Sequence, residues 1–562
     1  MTSSKIALCR FASATLLVAL FMSGSPALAG EARAGASSSV VVKIVPAGSP
    51  QEKDVLAALS DALHDGVPPR TLDEVNQWSE KLTAALHKGG FAVGQVLMTQ
   101  EDWDASAKTG QSVFTVFPGR ISEIEVQNKS RMNQSRVEKM IAKALCGQAP
   151  EELNNGACLF DTKRFERATQ LLQDLPGVAL GGAPQFGPGK GVGDVKTTFS
   201  IAEKGDPFSI GASVDNSGIQ TTGRTRGTVS ASANNYFGLG EDYAVSITRS
   251  TKGMWTGALS GGIPILADGL RLTGGFTRQE YTVTENGLSF SGTSNTGMLG
   301  LAYPFTRGLD ANLWGSLSYL HSKSKVDYRD FGFSTTATLD AVKASLSANN
   351  GDRAQQMRTD QWSGQISLTY GKQSNDDPLD EFGPDRAGNY GKLSASGFAS
   401  WALNQSGDFF VTAHGTGQYA NKNLDGSEQL GVGGPYAVRG YRADEPMLND
   451  GVLLGAGLYK RFSIAEGHQM QIGPIIDYAY GVANHDTWTG WESSYPPDVK
   501  VSNSRQLASY GLEVAWLTPI GATLTLSASK LFGDKSWIKP EDDSVQYWFT
   551  VSWNSWNPWG AR

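Results

Sequence analysis

The segment GVGGPYAVRGYRADEPMLND, residues 431–450, sets one arginine, Arg439, among glycines and turn-forming residues. A guanidinium is a planar fork of donors that can meet a carboxylate in two parallel hydrogen bonds and so fix a loop. Its neighbours Val438, Gly440 and Tyr441 give an ordinary solvated loop no reason to hold a cation. No other chemistry has a comparable set of residues. The six histidines are scattered without an i, i+4 pair, which supports neither zinc nor a catalytic triad. GPGKGVGD, residues 187–194, lacks the Lys-Ser or Lys-Thr pair and the following helix of a phosphate loop, and reads as a hairpin turn. Cys146 and Cys158 bracket a polar stretch with no histidine nearby. In an exported chain they are expected to form a structural disulfide rather than a metal site. The sequence thus points to no metal, no cofactor and no enzyme.

Composition bounds the fold that must hold these residues. A chain of 562 residues exceeds one ordinary core, so several domains or one very large barrel are expected. A mean hydropathy of −0.27 argues against a bundle of membrane helices. A net charge of −7 argues against nucleic acid as a partner. Lys5 and Arg10 precede the apolar run FASATLLVALFM, and SGSPALA follows. That is the pattern of a secretory signal peptide, residues 1–29, cut after Ala29. The run is shorter than the roughly 20 apolar residues of a membrane anchor.

Residues 30–39 form a short extension, after which two small units of one pattern follow. In 40–120, VVVKIVPAG reads as a strand, QEKDVLAALSDALHDG and LDEVNQWSEKLTAALHKGG as amphipathic helices, and FAVGQVLMTQ and QSVFTVFPGR as strands. In 121–204 the same order recurs: a strand, two helices, then the strands ALGGAPQFGP and DVKTTFSIAEKG. A β-α-α-β-β unit repeated at a period of about 80 residues is a strong organisational signal.

From 205 to 562 helical periodicity gives way to alternation. Tyr243, Val245 and Ile247 share one face against Ala244, Ser246 and Thr248, and Ala522, Leu524, Leu526 and Ala528 oppose a row of Thr and Ser. Export, strands of about ten residues and an unbroken pattern together predict an outer-membrane β-barrel of about 16 antiparallel strands. The acidic run SNDDPLDEFGPD, 374–385, reads as a solvated outer loop, and the tryptophans near the end as membrane-interface anchors.

LDGSEQLGVGGPYAVRGYRADEPMLNDGVLLGAGLYKRF resembles the signature loop of the two-partner secretion transporters, the TpsB family of haemolysin and haemagglutinin exporters. DNSGIQTTGRTRG, 215–227, is similar to that family's first barrel hairpin, and PFTRGLDANLWGSLSYLHSKSKVD, 304–327, more loosely to its middle strands. The resemblance covers essentially the whole mature chain. It implies two POTRA domains in the periplasm, here 40–120 and 121–204, before a 16-stranded barrel in the outer membrane of a Gram-negative bacterium. It also implies a lumen loop carrying Val438, Arg439, Gly440 and Tyr441 between the eleventh and twelfth strands. In HQMQIGPIIDYAYG, Asp477 shares parity with Gln469, Gln471 and Gly473, which points it into the lumen. The resemblance then pairs Arg439 with Asp477. The implied partners are a large secreted TpsA-type exoprotein bound by the POTRA domains, outer-membrane lipid, and the barrel assembly machinery during biogenesis. An assembly factor of the BamA or TamA kind is the alternative, although those relatives usually carry more than two POTRA repeats. The ten residues 30–39 would span only about 15 Å as a helix, too short for the plug helix of many members. The chain also runs past its last strand as NSWNPWGAR, where the family commonly ends on an aromatic residue.

Overall fold

The computed structural model describes residues 40–555 apart from 46, 48–50, 65–66, 150–157, 286–287, 357–359, 496–500 and 539–543. The signal peptide, the extension 30–39 with its expected lack of a plug helix, and the chain end with Trp556 and Trp559 lie outside the described residues.

The first unit comprises β1 (Val40–Ile44), α1 (Glu52–His64), α2 (Leu72–Lys88), β2 (Gln95–Leu97), α3 (Gln100–Thr109) and β3 (Ser112–Phe117). Central β3 runs parallel to β1 and antiparallel to β2. A capping box between Thr71 and Glu74 starts α2, whose buried residues Val75, Trp78, Leu82 and Leu86 follow helical spacing. Helix α3 is an addition to the expected order, and the strand expected over 91–100 shrinks to three residues. It is short and polar, but Thr99 and Asp102 form a capping box, and Asp102 also accepts from the Thr115 hydroxyl at 2.6 Å.

The second unit comprises β4 (Arg120–Asn128), α4 (Gln134–Cys146), α5 (Thr162–Gln173), β5 (Val178–Leu180), β6 (Gln185–Pro188) and β7 (Asp194–Glu203). Again the first and last strands pair in parallel, while β5 and β6 both run antiparallel to β7. Gly181 and Gly182 fall where the strand expected over 179–188 divides into β5 and β6. The segment 187–194 forms the turn into β7, and Asp194 there pairs with Arg120 at 2.6 Å.

Cys146 and Cys158 are bonded, with Cα atoms 5.0 Å apart. The residues that follow join the two units. Cys158 and Phe160 lie in the second hydrophobic core, and Leu159 between them lies in the first. The Ile121 N–H donates to the Cys158 carbonyl at 2.8 Å, the Phe160 N–H to Gly119 at 2.7 Å, and the Thr162 hydroxyl to Gly90 at 2.8 Å.

The remaining strands close on themselves. They are β8 (Phe208–Asp215), β9 (Arg226–Asn234), β10 (Asp242–Ser250), β11 (Trp255–Pro264), β12 (Arg271–Glu285) and β13 (Leu288–Arg307). Then come β14 (Asn312–Tyr328), β15 (Phe333–Asn349), β16 (Gln361–Asn375), β17 (Gly388–Ala402) and β18 (Phe409–Ala420). The barrel ends with β19 (Asp450–Ala465), β20 (His468–Val482), β21 (Ser504–Leu517), β22 (Ala522–Leu531) and β23 (Gln546–Ser555). Each runs antiparallel to its neighbours, and β23 pairs with β8 to complete a closed barrel of 16 strands. Closure leaves no edge unpaired, the condition for strands in hydrocarbon. Tyr243, Val245 and Ile247 face outward and exposed, whereas the intervening parity of β22 turns Ser527 and Ser529 inward and buried.

The two longest connections, 421–449 and 483–503, lie at the end away from the two small units. The second unit is fastened to the near rim. Arg307 at the end of β13 gives Nε and Nη2 to the two carboxylate oxygens of Asp174, each at 2.7 Å, and Nη2 also reaches Asp352 at 2.9 Å. Arg136 on α4 donates to the Leu239 carbonyl at 2.8 Å.

Two expectations need correction. Trp537 and Trp548 are 4% exposed, so they pack inside rather than anchor at the membrane interface; Trp553 does reach a rim turn, donating to the Ile520 carbonyl. The acidic run 374–385 leads into a far-end loop that is not wholly solvated, because Asp380 folds inward and accepts from the N–H groups of Arg386 and Ala387.

Candidate functional site

The loop 421–449, between the eleventh and twelfth barrel strands, folds into the lumen. Its two limbs are joined by a pair of backbone hydrogen bonds between Leu430 and Leu448, at 2.8 and 2.9 Å. The Val438 N–H reaches the Val432 carbonyl at 3.0 Å, and the Tyr441 N–H reaches Val438 at 3.0 Å, tightening the tip. Leu430, Val432, Ala437, Val438 and Tyr441 pack on Leu453, Ala479 and Leu507 of the inner wall. Gly440 permits this approach, since a Cβ there would come within 2.6 Å of Ser509 Cβ and 2.7 Å of the Leu531 nitrogen.

At the tip, Arg439 meets Asp477 of β20. Nη2 lies 2.6 Å from Oδ1, Nε lies 2.9 Å from Oδ2, and the Arg439 backbone N–H reaches Oδ2 at 3.1 Å. Nη1 goes to Glu513 of β21 at 2.8 Å. Ser509 donates to Asp477 at 3.2 Å, Tyr459 to Glu513 at 3.0 Å, and the Trp548 indole to the Arg439 carbonyl at 2.8 Å. Tyr441 donates its hydroxyl to the Asp534 carbonyl at 2.5 Å. The side chains of Arg439 and Asp477 are 7% and 1% exposed. Charges so far from water are tolerated only when their hydrogen-bonding capacity is met, and here both Asp477 oxygens and all three guanidinium nitrogens have partners.

Sequence reasoning missed a second buried pair on the same loop. Glu445 accepts from Arg505 Nη2 at 2.7 Å, from the Ser536 hydroxyl at 2.5 Å and from the Trp537 N–H at 3.0 Å. The Arg505 guanidinium stacks 4.0 Å over the Trp537 ring, and the two charged side chains are 1% and 0% exposed. The available signal was parity. Arg505, Leu507, Ser509 and Glu513 share one face of β21, which puts two charges on the inner wall.

The disulfide of Cys146 and Cys158 lies in the second small unit, away from the loop. Among the described residues, no group of three or more His, Cys, Asp or Glu is placed to hold a metal ion. The arrangement holds a loop against a wall.

The family model for haemolysin secretion/activation protein ShlB/FhaC/HecB matches residues 200–486. The chain is 21% identical over 504 residues to the heme/hemopexin transporter protein HuxB of Haemophilus influenzae, across 86% of this chain and 81% of that one. Among solved structures, CdiB from Escherichia coli matches with a TM-score of 0.71 at 16% identity, across 95% and 93% of the two chains. BamA from Haemophilus ducreyi lacking POTRA domains 1–3 matches at 0.50 and 15% identity, across 92% and 99%. The two structural likenesses are likenesses of fold.

Proposed function

Because the chain belongs to the haemolysin secretion/activation protein family ShlB/FhaC/HecB, we propose that it exports one large secreted partner protein across the outer membrane through its barrel lumen. The observation that carries this reading is the pair of small α+β units fastened at one rim of a closed barrel. The partner is a TpsA-type exoprotein that crosses the periplasm unfolded. The two units, as POTRA domains, grip its extended segments by adding them to sheet edges, where main-chain hydrogen bonds hold without much sequence demand. On the outer side of β2 the Val96 N–H donates to the Thr83 hydroxyl at 3.0 Å, and His87 bonds the Gly94 carbonyl just before the strand at 2.8 Å. Folding of the partner outside the cell supplies direction. The chain itself enters the membrane through the barrel assembly machinery, and its apolar outer face meets lipid.

Deleting this transporter and following both the partner in the medium and the folded barrels of unrelated outer-membrane proteins tests the reading. Loss of the partner alone is the expected result. Loss of the unrelated barrels would make the chain an assembly factor of the BamA or TamA kind.

A further inference from the structure

The outward parity of β13–β16 sets large apolar residues side by side: Leu301 stands level with Leu317, and Leu346 with Ile366. Two positions among them are small. Gly315 of β14 falls between Tyr303 and Leu346, and Ala344 of β15 between Leu317 and Leu368. The dip they leave is an apolar groove of about 530 Å³ in the lipid-facing surface. Phe305 closes its rim end. Its ring lies so near Gly315 that a Cβ there would come within 2.4 Å, and it meets Tyr303 edge-on at 5.2 Å. Arg167 of α5, in the second small unit, comes to the same end. Its guanidinium lies 5.9 Å from the centre of the Tyr303 ring and donates to the Asp268 carbonyl at 3.1 Å and the Phe305 carbonyl at 3.4 Å. Among the described residues these partners are all neutral, whereas Arg307 on the same rim is balanced by Asp174 and Asp352. Lys163, one turn back along α5, is exposed and adds a second cation.

We propose that one anionic phospholipid of the periplasmic leaflet binds here, with its phosphate on Arg167 and an acyl chain in the groove over Gly315 and Ala344. The lipid is thereby shared between the second small unit, which supplies the cation, and the barrel wall, which supplies the groove. Tyrosine settles at headgroup depth in a bilayer, so Arg167 above Tyr303 stands at the level of the phosphates and the groove at the level of the chains. A guanidinium fork matches phosphate oxygens in geometry as well as charge, and its two carbonyl contacts leave further N–H donors free. An extended peptide is a poor occupant, because in hydrocarbon its backbone groups would stay unpaired. An acyl chain has no such groups.

The test is native mass spectrometry of the full transporter from micelles holding equal amounts of dioleoyl phosphatidylglycerol and dioleoyl phosphatidylcholine. Wild type is compared with Arg167→Gln and with Ala344→Phe, which fills the groove from an exposed, lipid-facing position, all at equal heat-modifiable barrel. The expected result is one phosphatidylglycerol retained by wild type after other lipids are stripped. Arg167→Gln should lower its preference over phosphatidylcholine about tenfold, as for one charge-assisted hydrogen bond. Ala344→Phe should lose retention of both lipids, and added inorganic phosphate should displace neither. Equal retention of the two lipids by wild type would reduce the groove to ordinary boundary lipid and overturn the proposal. So would an unchanged preference in Arg167→Gln, or displacement by phosphate alone. A dimer of the chain that Ala344→Phe dissociates, with no lipid retained, would put a second copy in the groove and overturn it as well.

Discussion

Arg439 spends three nitrogens on two carboxylates, and the consequences of removing it follow from which of them stays dry. Asp477 is 1% exposed and Glu513 20%, so Arg439→Ala strands mainly Asp477. Leaving a buried charge without its partner costs about 3–5 kcal/mol. The loop should leave its seat while the strands and the lipid-facing surface remain, so partner in the medium, normalised to folded transporter, should fall sharply. Arg439→Lys should restore only part, since an ammonium cannot make the two-pronged contact. Exchanging the charges, Arg439→Asp with Asp477→Arg, sets a carboxylate against Glu513, so recovery is expected only when Glu513→Gln is added; equal recovery without it would remove Glu513 from the site. Glu445→Ala strands Arg505 in the same way, at a similar cost of about 3–5 kcal/mol, and should expose the loop 421–449 to external protease on intact cells. Of this site, the family resemblance led from Arg439 to Asp477, and strand parity turned Asp477 inward. Glu513, Trp548 and the Glu445–Arg505 pair stayed hidden because they depend on which residues of four strands come level, and register across a barrel is not written in any one strand.

At the scale of elements, α3 shows why short polar segments escape pattern reading. QEDWDASAKT has no apolar stripe, and only the Thr99-x-x-Asp102 cap announces it. The segment Cys158–Thr162 escaped for another reason: alternate residues serve two different cores. Leu159→Ala should therefore weaken the first unit although it lies within the second, by about 2–5 kcal/mol if the gap does not collapse. Hydrogen exchange in the intact transporter reads this as faster exchange in α1 and α2 with β4 unchanged. Replacing Cys158 by Ser frees the segment from α4, at a cost of about 3 kcal/mol by loop entropy, and should speed exchange in both units.

The whole molecule was the most legible level, because alternation over some hundreds of residues admits few closed solutions. Its asymmetry was not legible. β13 runs 20 residues and β14 and β15 run 17 each, where roughly ten cross a bilayer, so this side of the barrel extends well past the membrane. The placement of the second unit on the rim was also invisible, since Asp174, Arg307 and Asp352 are far apart in the chain. Arg307→Ala leaves two half-exposed carboxylates that water can reach, so the cost should be about 1–3 kcal/mol, between the exposed and buried limits. It should appear as protease cleavage between β7 and β8 with the barrel intact; unchanged resistance there would deny Arg307 a fastening role. The segment that seats Leu159 in one core and its neighbours in the other has a consequence for how the arm works. Two grips on a floppy tether must find their second contact by sampling. On the proposed gripping of the partner by both units, a fixed frame holds the two grips at a set separation, so a segment caught by one unit is presented to the next at high effective concentration. Feeble main-chain contacts can then add up to firm capture, and loosening either one passes the chain forward instead of losing it to the periplasm.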